Sequence, residues 1–403
     1  MRILFVLHQF LPEFSAGTER VALSLALAAR RAGHRADILT CAVDAANWPP
    51  ADADGFSHAT VQGLPVTAIA QARLGDGFGF DSAPDPALGA TVDAFLDRGR
   101  YDVVHALHGM RMLDVLDRVR ALGLKLLLTL TDFFPLCYRV NLLRADGTPC
   151  GGPEQTRACI AHCQYPGLDA PMLQARHERF ATQLRTAAMR VAGSEFVADV
   201  FRREYPDLGF RVVPHGVDGL RRPPAQPSEP GPVFGYVGTL SQHKGTTVLV
   251  EAFRQVQAPQ ARLELVGPHG AELATLLEAA QADPRIRVRG PLREQEVPAA
   301  MAAFHLLCLP TLLPETFSLA LHEGFATGLP ALVSDLGHPG QVLRATGGGR
   351  ALPPGDVAAW AAAMQEVVDA PRRLAQWRAH VPLPWRQEEE AFLYSQLYRA
   401  CIA

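Results

Sequence analysis

Two glutamates, Glu315 and Glu323, bracket the run Thr316-Phe317-Ser318-Leu319-Ala320-Leu321-His322. Few packing needs would place two carboxylates around such a segment. The preceding Leu306-Leu307-Cys308-Leu309-Pro310 is apolar and β-rich, so Glu315 should lie in the loop beyond a strand and Glu323 on the helix that follows. The first turn of a helix leaves backbone N–H groups unpaired and carries partial positive charge, which offers an anion a seat between the two acids. One carboxylate could then hold a polyol and the other a second hydroxyl-rich group. The plain alternative is a solvated loop acid plus a helix-surface acid, and the surroundings of the pair must decide between them.

A second segment with chemical character is Gly238-Thr239-Leu240-Ser241-Gln242-His243-Lys244-Gly245. It fails as a phosphate-loop motif, because His243 stands where the glycine before the lysine belongs and Gly245 takes the Ser/Thr position. What survives is a lysine at a strand-to-helix junction, suited to meet a phosphate as a point charge; a solvated loop lysine is the alternative. Neither first βα turn carries GxGxxG, which disfavours a nicotinamide or flavin enzyme. Asp52-Ala53-Asp54 fits a DxD metal pattern, yet in a polar loop chance accounts for it better.

Cys137, Cys150, Cys159 and Cys163 fall in one Gly/Pro-rich loop, spaced C-x12-C-x8-C-x3-C. Four thiolates could hold structural Zn²⁺, the preferred ion, or an iron–sulfur cluster, and either would order a long loop. Free thiols or transient disulfides are the alternative, and a redox or metal-sensing role is a further one. Cys41, Cys308 and Cys401 read as ordinary buried or terminal thiols. Seven cysteines, an odd number, without an export signal argue against a disulfide framework.

The elements that must position these groups follow a simple rhythm of apolar strand, Gly-containing turn and amphipathic helix. Ile3 to Leu7 predicts a strand, Arg20 to Ala32 a helix and Ala36 to Thr40 the next strand, which makes a βαβ unit. Val103 to His105 and Lys125 to Leu130 predict further buried strands around a helix from Met110 to Leu122. Pro214 to Pro232 is Pro-rich and reads as a linker. A second series follows: strands at Val233 to Val237, Arg262 to Val266, Ile286 to Arg289 and Leu306 to Leu309, with a helix from Thr246 to Val256. The 403 residues are too many for one ordinary core. The expected domains are 1–215 and 216–384, with a helix over 385–403 that joins the amino-terminal half. In such sheets, ligands bind beyond the carboxyl ends of the strands, and two facing sheets make a cleft.

Composition narrows the class. Hydrophobic residues make up 48% and charged residues 20%, as in a soluble α/β protein, and a net charge of −3 gives no pull toward nucleic acid. The amino end reads as a first buried strand and not as a signal peptide. No run approaches the ~18 apolar residues that span a bilayer. A cytoplasmic protein is expected, with contact at the inner membrane face left open. The basic stretch of Arg176, Arg179, Arg185 and Arg190 could meet anionic lipid, though a solvated helix face is the better reading.

Taken together, Ala16-Gly17-Thr18-Glu19, Tyr101-Asp102-Val103-Val104-His105, Thr129 to Phe133, Gly193-Ser194-Glu195, Val213-Pro214-His215-Gly216-Val217-Asp218, Gly238 with Lys244-Gly245, Gly267, and above all Glu315-x7-Glu323 make the chain resemble a retaining glycosyltransferase of family 4 over nearly its full length. The resemblance implies the GT-B fold, two facing Rossmann-like doubly wound parallel-sheet domains with a cleft between them. It implies transfer of a sugar from a UDP- or GDP-sugar to a hydroxyl of a glycan, lipid-linked or small-molecule acceptor, with no cofactor required for transfer. The amino-terminal domain would serve the acceptor and the carboxyl-terminal one the nucleotide sugar. By the same resemblance Lys244 neutralises the donor diphosphate, the backbone of Phe317, Ser318 and Leu319 cradles it, and Gly17 lets backbone approach it. Gly238, Thr239 and Gly267 line the donor, Glu323 takes the ribose hydroxyls, and Glu315 holds the donor sugar or its developing charge.

Two positions depart from the family pattern. Thr131 stands where the family often has His, and Thr239 where it often has Arg. His105 and His108 are the nearby groups that could compensate, though a histidine ending a strand is more often a structural hydrogen-bonder; Thr131 and Asp132 are the further candidates for acceptor or sugar contact. The departures motivate a rival reading, a non-catalytic GT-B scaffold that binds nucleotide sugar without turnover.

Overall fold

The computed structural model describes residues 1–75, 77–80, 86–163, 167–218, 231–268 and 270–403; most of the expected Pro-rich linker, residues 219–230, lies outside them. The chain divides into two compact units, Met1–His215 with Gln387–Ala403, and Gly216–Arg386.

The first unit is built on eight strands: β1 (Arg2–Leu7), β2 (Arg35–Ala42), β3 (Phe56–Val61), β4 (Leu64–Ala70), β5 (Val103–Ala106), β6 (Leu126–Leu130), β7 (Met189–Ala192) and β8 (Arg211–Val212). Their order across the sheet is β3-β4-β2-β1-β5-β6-β7-β8. Ile3, Leu4, Phe5, Val6 and Leu7 have no exposed surface, because β1 is central and covered on both faces. All neighbours pair in parallel except β3 with β4, an antiparallel hairpin at one edge. The sequence does not announce that hairpin, since its Gln62-Gly63 turn lacks the Asn-Gly or Asp-Gly signature.

The helix predicted from Met110 begins at Leu113, after a turn in which Arg111 takes a positive φ of 61°. The last helix, Gln387–Ile402, packs on the helix Gly17–Arg31 and near β5 and β6. Polar groups pin it there. His215 Nδ1 and Glu390 Oε1 lie 2.9 Å apart, both buried, and Tyr394 and Tyr398 reach the strand ends.

The second unit has six parallel strands, β9 (Val233–Val237), β10 (Arg262–Val266), β11 (Ile286–Arg289), β12 (Leu306–Leu309), β13 (Ala331–Ser334) and β14 (Gly349–Leu352), in the order β11-β10-β9-β12-β13-β14. Phe234, Leu263, Leu307 and Leu332 sit in its core with no exposed surface. In each unit the strand order reverses beside the first strand, between β1 and β5 and between β9 and β12. Loops leaving the carboxyl ends of those strands diverge there and leave a crevice, the usual ligand position in a doubly wound sheet.

Candidate functional site

In the second unit, the two loops that flank the reversal point carry the residues singled out by their chemistry. Beyond β9 the chain makes one tight turn, Gln242–Lys244, and enters the helix Thr246–Arg254. Beyond β12 it runs through Glu315 into the helix Leu319–Ala326, which carries Glu323. Because β9 and β12 are neighbours, Lys244 Nζ reaches Glu315 Oε1 at 2.6 Å, with both side chains partly exposed. The Glu315 carbonyl accepts a hydrogen bond from the His338 backbone N–H at 2.9 Å, which anchors the loop from the β13 side.

The floor beside this pair is glycine by necessity. Gly267, at φ 148°, lies so close to Gly238 that an added Cβ would sit 1.9 Å from the Gly238 carbonyl oxygen. Thr239 presents its carbonyl to the Tyr236 hydroxyl at 2.7 Å. Ser318 caps the helix Leu319–Ala326 with φ 68° and makes no side-chain cap bond. Phe317 is 4% exposed and stacks on His322 with ring centres 4.0 Å apart and planes within 10°; His338 lies parallel at 5.3 Å. His322 Nδ1 lies 3.0 Å from the Ser318 carbonyl oxygen, and an N–H there ties the stack to the cap. Sequence reasoning missed His322 and His338. The position of His322 one residue before Glu323 was a visible signal, whereas His338 is brought in only by the adjacency of β12 and β13.

In the first unit, His8 beyond β1 and His108 beyond β5 meet at the reversal point with ring centres 4.0 Å apart. The Met110 N–H donates to His108 Nδ1 at 3.1 Å, so Nε2 carries the hydrogen and donates to Asp132 in a short contact. Asp132 Oδ1 also accepts the Phe134 N–H at 2.8 Å. Burial pushes His8 far below the usual histidine range, assisted by His108 and Arg111. Glu19, in the first turn of the helix Gly17–Arg31, is raised by its own burial while its Oε2 accepts the Ala16 N–H at 2.7 Å. Gly17 opens that helix in an exposed position. Behind Asp132 is a cavity of about 40 Å³, lined largely by Leu113, Leu116, Leu128, Phe134 and Phe180 with Gln183.

His105 takes the structural one of its two readings. It has no exposed surface; its Nδ1 is 2.8 Å from the Tyr398 hydroxyl and its Nε2 is 2.7 Å from Thr129 Oγ1. Both ring nitrogens therefore serve the packing of the last helix and neither is left for a ligand. The Thr131 hydroxyl is likewise committed, donating to the Leu107 carbonyl at 3.0 Å.

Residues 15–219 match the family described as Glycosyltransferase Family 4, and residues 231–370 match Glycosyl transferases group 1. The chain belongs to glycosyltransferase family 4. Among the relatives of this family 4 chain, the 2-deoxystreptamine glucosyltransferase of Streptomyces kanamyceticus is 28% identical over 207 residues, 50% of this chain and 52% of that protein. The phosphatidyl-myo-inositol mannosyltransferase of Mycobacterium leprae is 31% identical over 195 residues, 46% of this chain and 52% of that protein. The matched part thus spans about half the length of these curated relatives. Among solved structures, HepE of Anabaena in complex with UDP and glucose superposes with a TM-score of 0.70 at 17% identity, covering 99% of each chain. The fold is GT-B.

No metal site is shown for the cysteines: all seven are free, and among the described residues no group of three or more His, Cys, Asp or Glu side chains is placed to hold a metal. Cys137 and Cys150 pack with the main core, while Cys163 and Cys159 join a separate cluster with Tyr138 and Leu173. Burial raises the Cys137 and Cys163 thiols and pushes Cys159 up to about 12, and the nearby Cys137, Cys163 and Cys150 add to the rise at Cys159, so the four thiols lie within reach of one another's charge. Of the arginines named as a basic set, Arg185 is exposed and pairs with the exposed Asp207, whereas Arg176 is buried and donates to the Phe78 and Phe134 carbonyls, Arg179 pairs with Asp114 and Asp117, and Arg190 lies on β7 and donates to the Leu184, Ala187 and Gly209 carbonyls. Asp52 and Asp54 are likewise occupied, by the Phe56 N–H with His58 and by Arg98. No described helix is long and apolar enough to cross a membrane.

Proposed function

We propose that this chain is a retaining glycosyltransferase that moves a hexose from a UDP- or GDP-sugar to a hydroxyl of a polyol-bearing acceptor, in glycan, glycolipid or small-molecule glycoside synthesis. The observation that carries the reading is the Lys244–Glu315 pair at the β9/β12 reversal point, beside the helix start at Ser318 and the carboxylate of Glu323. A cation, a row of backbone donors and two carboxylates within one crevice match a ligand that is a diphosphate flanked by two hydroxyl-rich rings.

Lys244 and the N–H groups of Phe317, Ser318 and Leu319 take the diphosphate, and the close Gly238–Gly267 contact leaves room for it. Glu323 accepts hydrogen bonds from the ribose, and Glu315 holds the sugar and offsets charge developing at its anomeric carbon. The C–O bond to the diphosphate breaks as the acceptor oxygen forms its bond on the same face, and the acceptor proton passes to a diphosphate oxygen. Stabilising the leaving group and positioning the acceptor are then the main catalytic contributions, and no strong protein base is needed. To the first unit we assign acceptor binding, with Asp132, held by His108 and the Phe134 N–H, receiving a hydroxyl.

Thermal shift with UDP-glucose and GDP-mannose, followed by release of UDP or GDP on adding acceptor, tests this. Glu323→Ala should weaken nucleotide binding at least about tenfold, as expected for losing charge-assisted hydrogen bonds, and Glu315→Ala should lower turnover. Unchanged binding and turnover in both variants rejects the assignment. A scaffold that binds nucleotide sugar without turnover is the second reading; the internal commitment of Thr131 favours it, and donor binding with no nucleotide release across a broad acceptor set would establish it.

A further inference from the structure

We infer that Glu315 competes with the donor's diphosphate for Lys244, and that this competition makes the site favour an intact nucleotide sugar over the spent nucleoside diphosphate. The inference rests on the donor-site reading above and adds to it a role for Glu315 before and after the chemical step.

Among the described residues Glu315 is the ion-pair partner of Lys244, at 2.6 Å. The side chains keep 32% and 20% of their surface exposed, so a ligand can reach the ammonium without unpacking the core. Beside the pair, the Tyr236 hydroxyl donates to the Thr239 carbonyl, and the His243 carbonyl accepts from the Leu312 N–H and the Thr311 hydroxyl. The Glu315 backbone is fixed by the His338 N–H, so breaking the pair needs only side-chain rotation.

A diphosphate carries more charge than a carboxylate and takes the ammonium, leaving Glu315 without its cation. When the ligand is an intact sugar nucleotide, the hexose hydroxyls donate to the displaced carboxylate and compensate it. When the ligand is the nucleoside diphosphate left after transfer, no such donors are present. The cost of displacing Glu315 therefore falls on the product, and re-forming the Lys244–Glu315 pair assists its departure. In this role Glu315 discriminates between two ligands that share every contact at the nucleotide end.

The test is calorimetric titration of the full chain with UDP, GDP, UDP-glucose and GDP-mannose, on wild type, Glu315→Gln, Lys244→Met and the double variant, each first shown to melt as wild type does. Glu315→Gln should bind the preferred nucleoside diphosphate about three- to fivefold more tightly, the scale of a part-exposed ion pair. It should bind the matching sugar nucleotide no more tightly than wild type. In the Lys244→Met background the added Glu315→Gln change should give no such gain, since the competition requires the ammonium. Unchanged or weaker diphosphate binding in Glu315→Gln overturns the inference, and so does a gain that persists without Lys244, which would mean simple repulsion. If Lys244→Met abolishes diphosphate binding while Glu315→Gln does not strengthen it, the inference falls and the donor-site reading stands. If no nucleotide binds wild type, both fall.

Discussion

His105 lies between Thr129 Oγ1 and the Tyr398 hydroxyl with no exposed surface, and burial pushes its pKa down to about 3. The free imidazole value is 6.5, so between these limits the unfolded chain takes up a proton that the native state refuses. Stability is therefore fully expressed above pH 6.5 and falls as pH drops toward 3, by at most about 1.4 kcal/mol per pH unit for this group. His8, also lowered by burial, acts in the same direction. Urea denaturation at pH 7, 6 and 5 should show a shallower loss in His105→Gln than in wild type; equal slopes would remove His105 as a source. At the donor crevice Gly267→Ala should cost at least about 2 kcal/mol, because the new Cβ would meet the Gly238 carbonyl at 1.9 Å on strained backbone. Chemical denaturation of that variant measures it, and a cost under about 0.5 kcal/mol would mean that β9 and β10 yield there easily. Residue types and spacing made Glu315, Glu323 and Lys244 legible, since charges at strand-to-helix junctions stand out against apolar runs. His105 was open to two readings because a histidine ending a strand looks the same whether it faces a ligand or a tyrosine 293 residues away in sequence.

The strands were legible wherever burial on both faces writes a continuous apolar run, as in β1, β9, β10 and β12, and their bounds agree with the reading to within a residue or two. The β3–β4 hairpin was not, because an edge strand buried on one side carries a weaker pattern and its turn lacks a strong signal. Spacing along the chain does not say whether four thiols close on one ion: the loop between Cys137 and Cys163 brings them within reach of one another's charge while packing them against two apolar groups. The helix Gln387–Ile402 could have belonged to either half by sequence; what fixes it are partners remote in the chain, His105, Thr129 and His215. Tyr398→Phe should leave His105 Nδ1 unpaired and lower stability by about 1–3 kcal/mol. Nucleotide binding in that variant, read by calorimetry, should stay within twofold of wild type, as the donor crevice belongs to the other unit.

Both units repeat one plan, a doubly wound sheet with chemical groups gathered where strand order reverses, and the family match covers the two in turn. Ligand binding to the native state alone raises stability by about 2.7 kcal/mol at a hundred times Kd. Saturating nucleotide should therefore raise the melting temperature of the full chain, and Lys244→Met should shrink that rise while leaving the unliganded melt in place.

The helix Gln387–Ile402 also sets an order of events during synthesis. Gly216–Arg386 is one continuous stretch, whereas the unit that begins at Met1 lacks its final helix until residues made after that stretch have emerged. Until then the ring of His105, the hydroxyl of Thr129 and the ring of His215 have no Tyr or Glu to meet. The second unit should thus become protease-resistant on the ribosome before the first, reversing the order in which domains usually mature. Pulse proteolysis of stalled chains ending near residue 386 and near residue 403 would read that reversal directly.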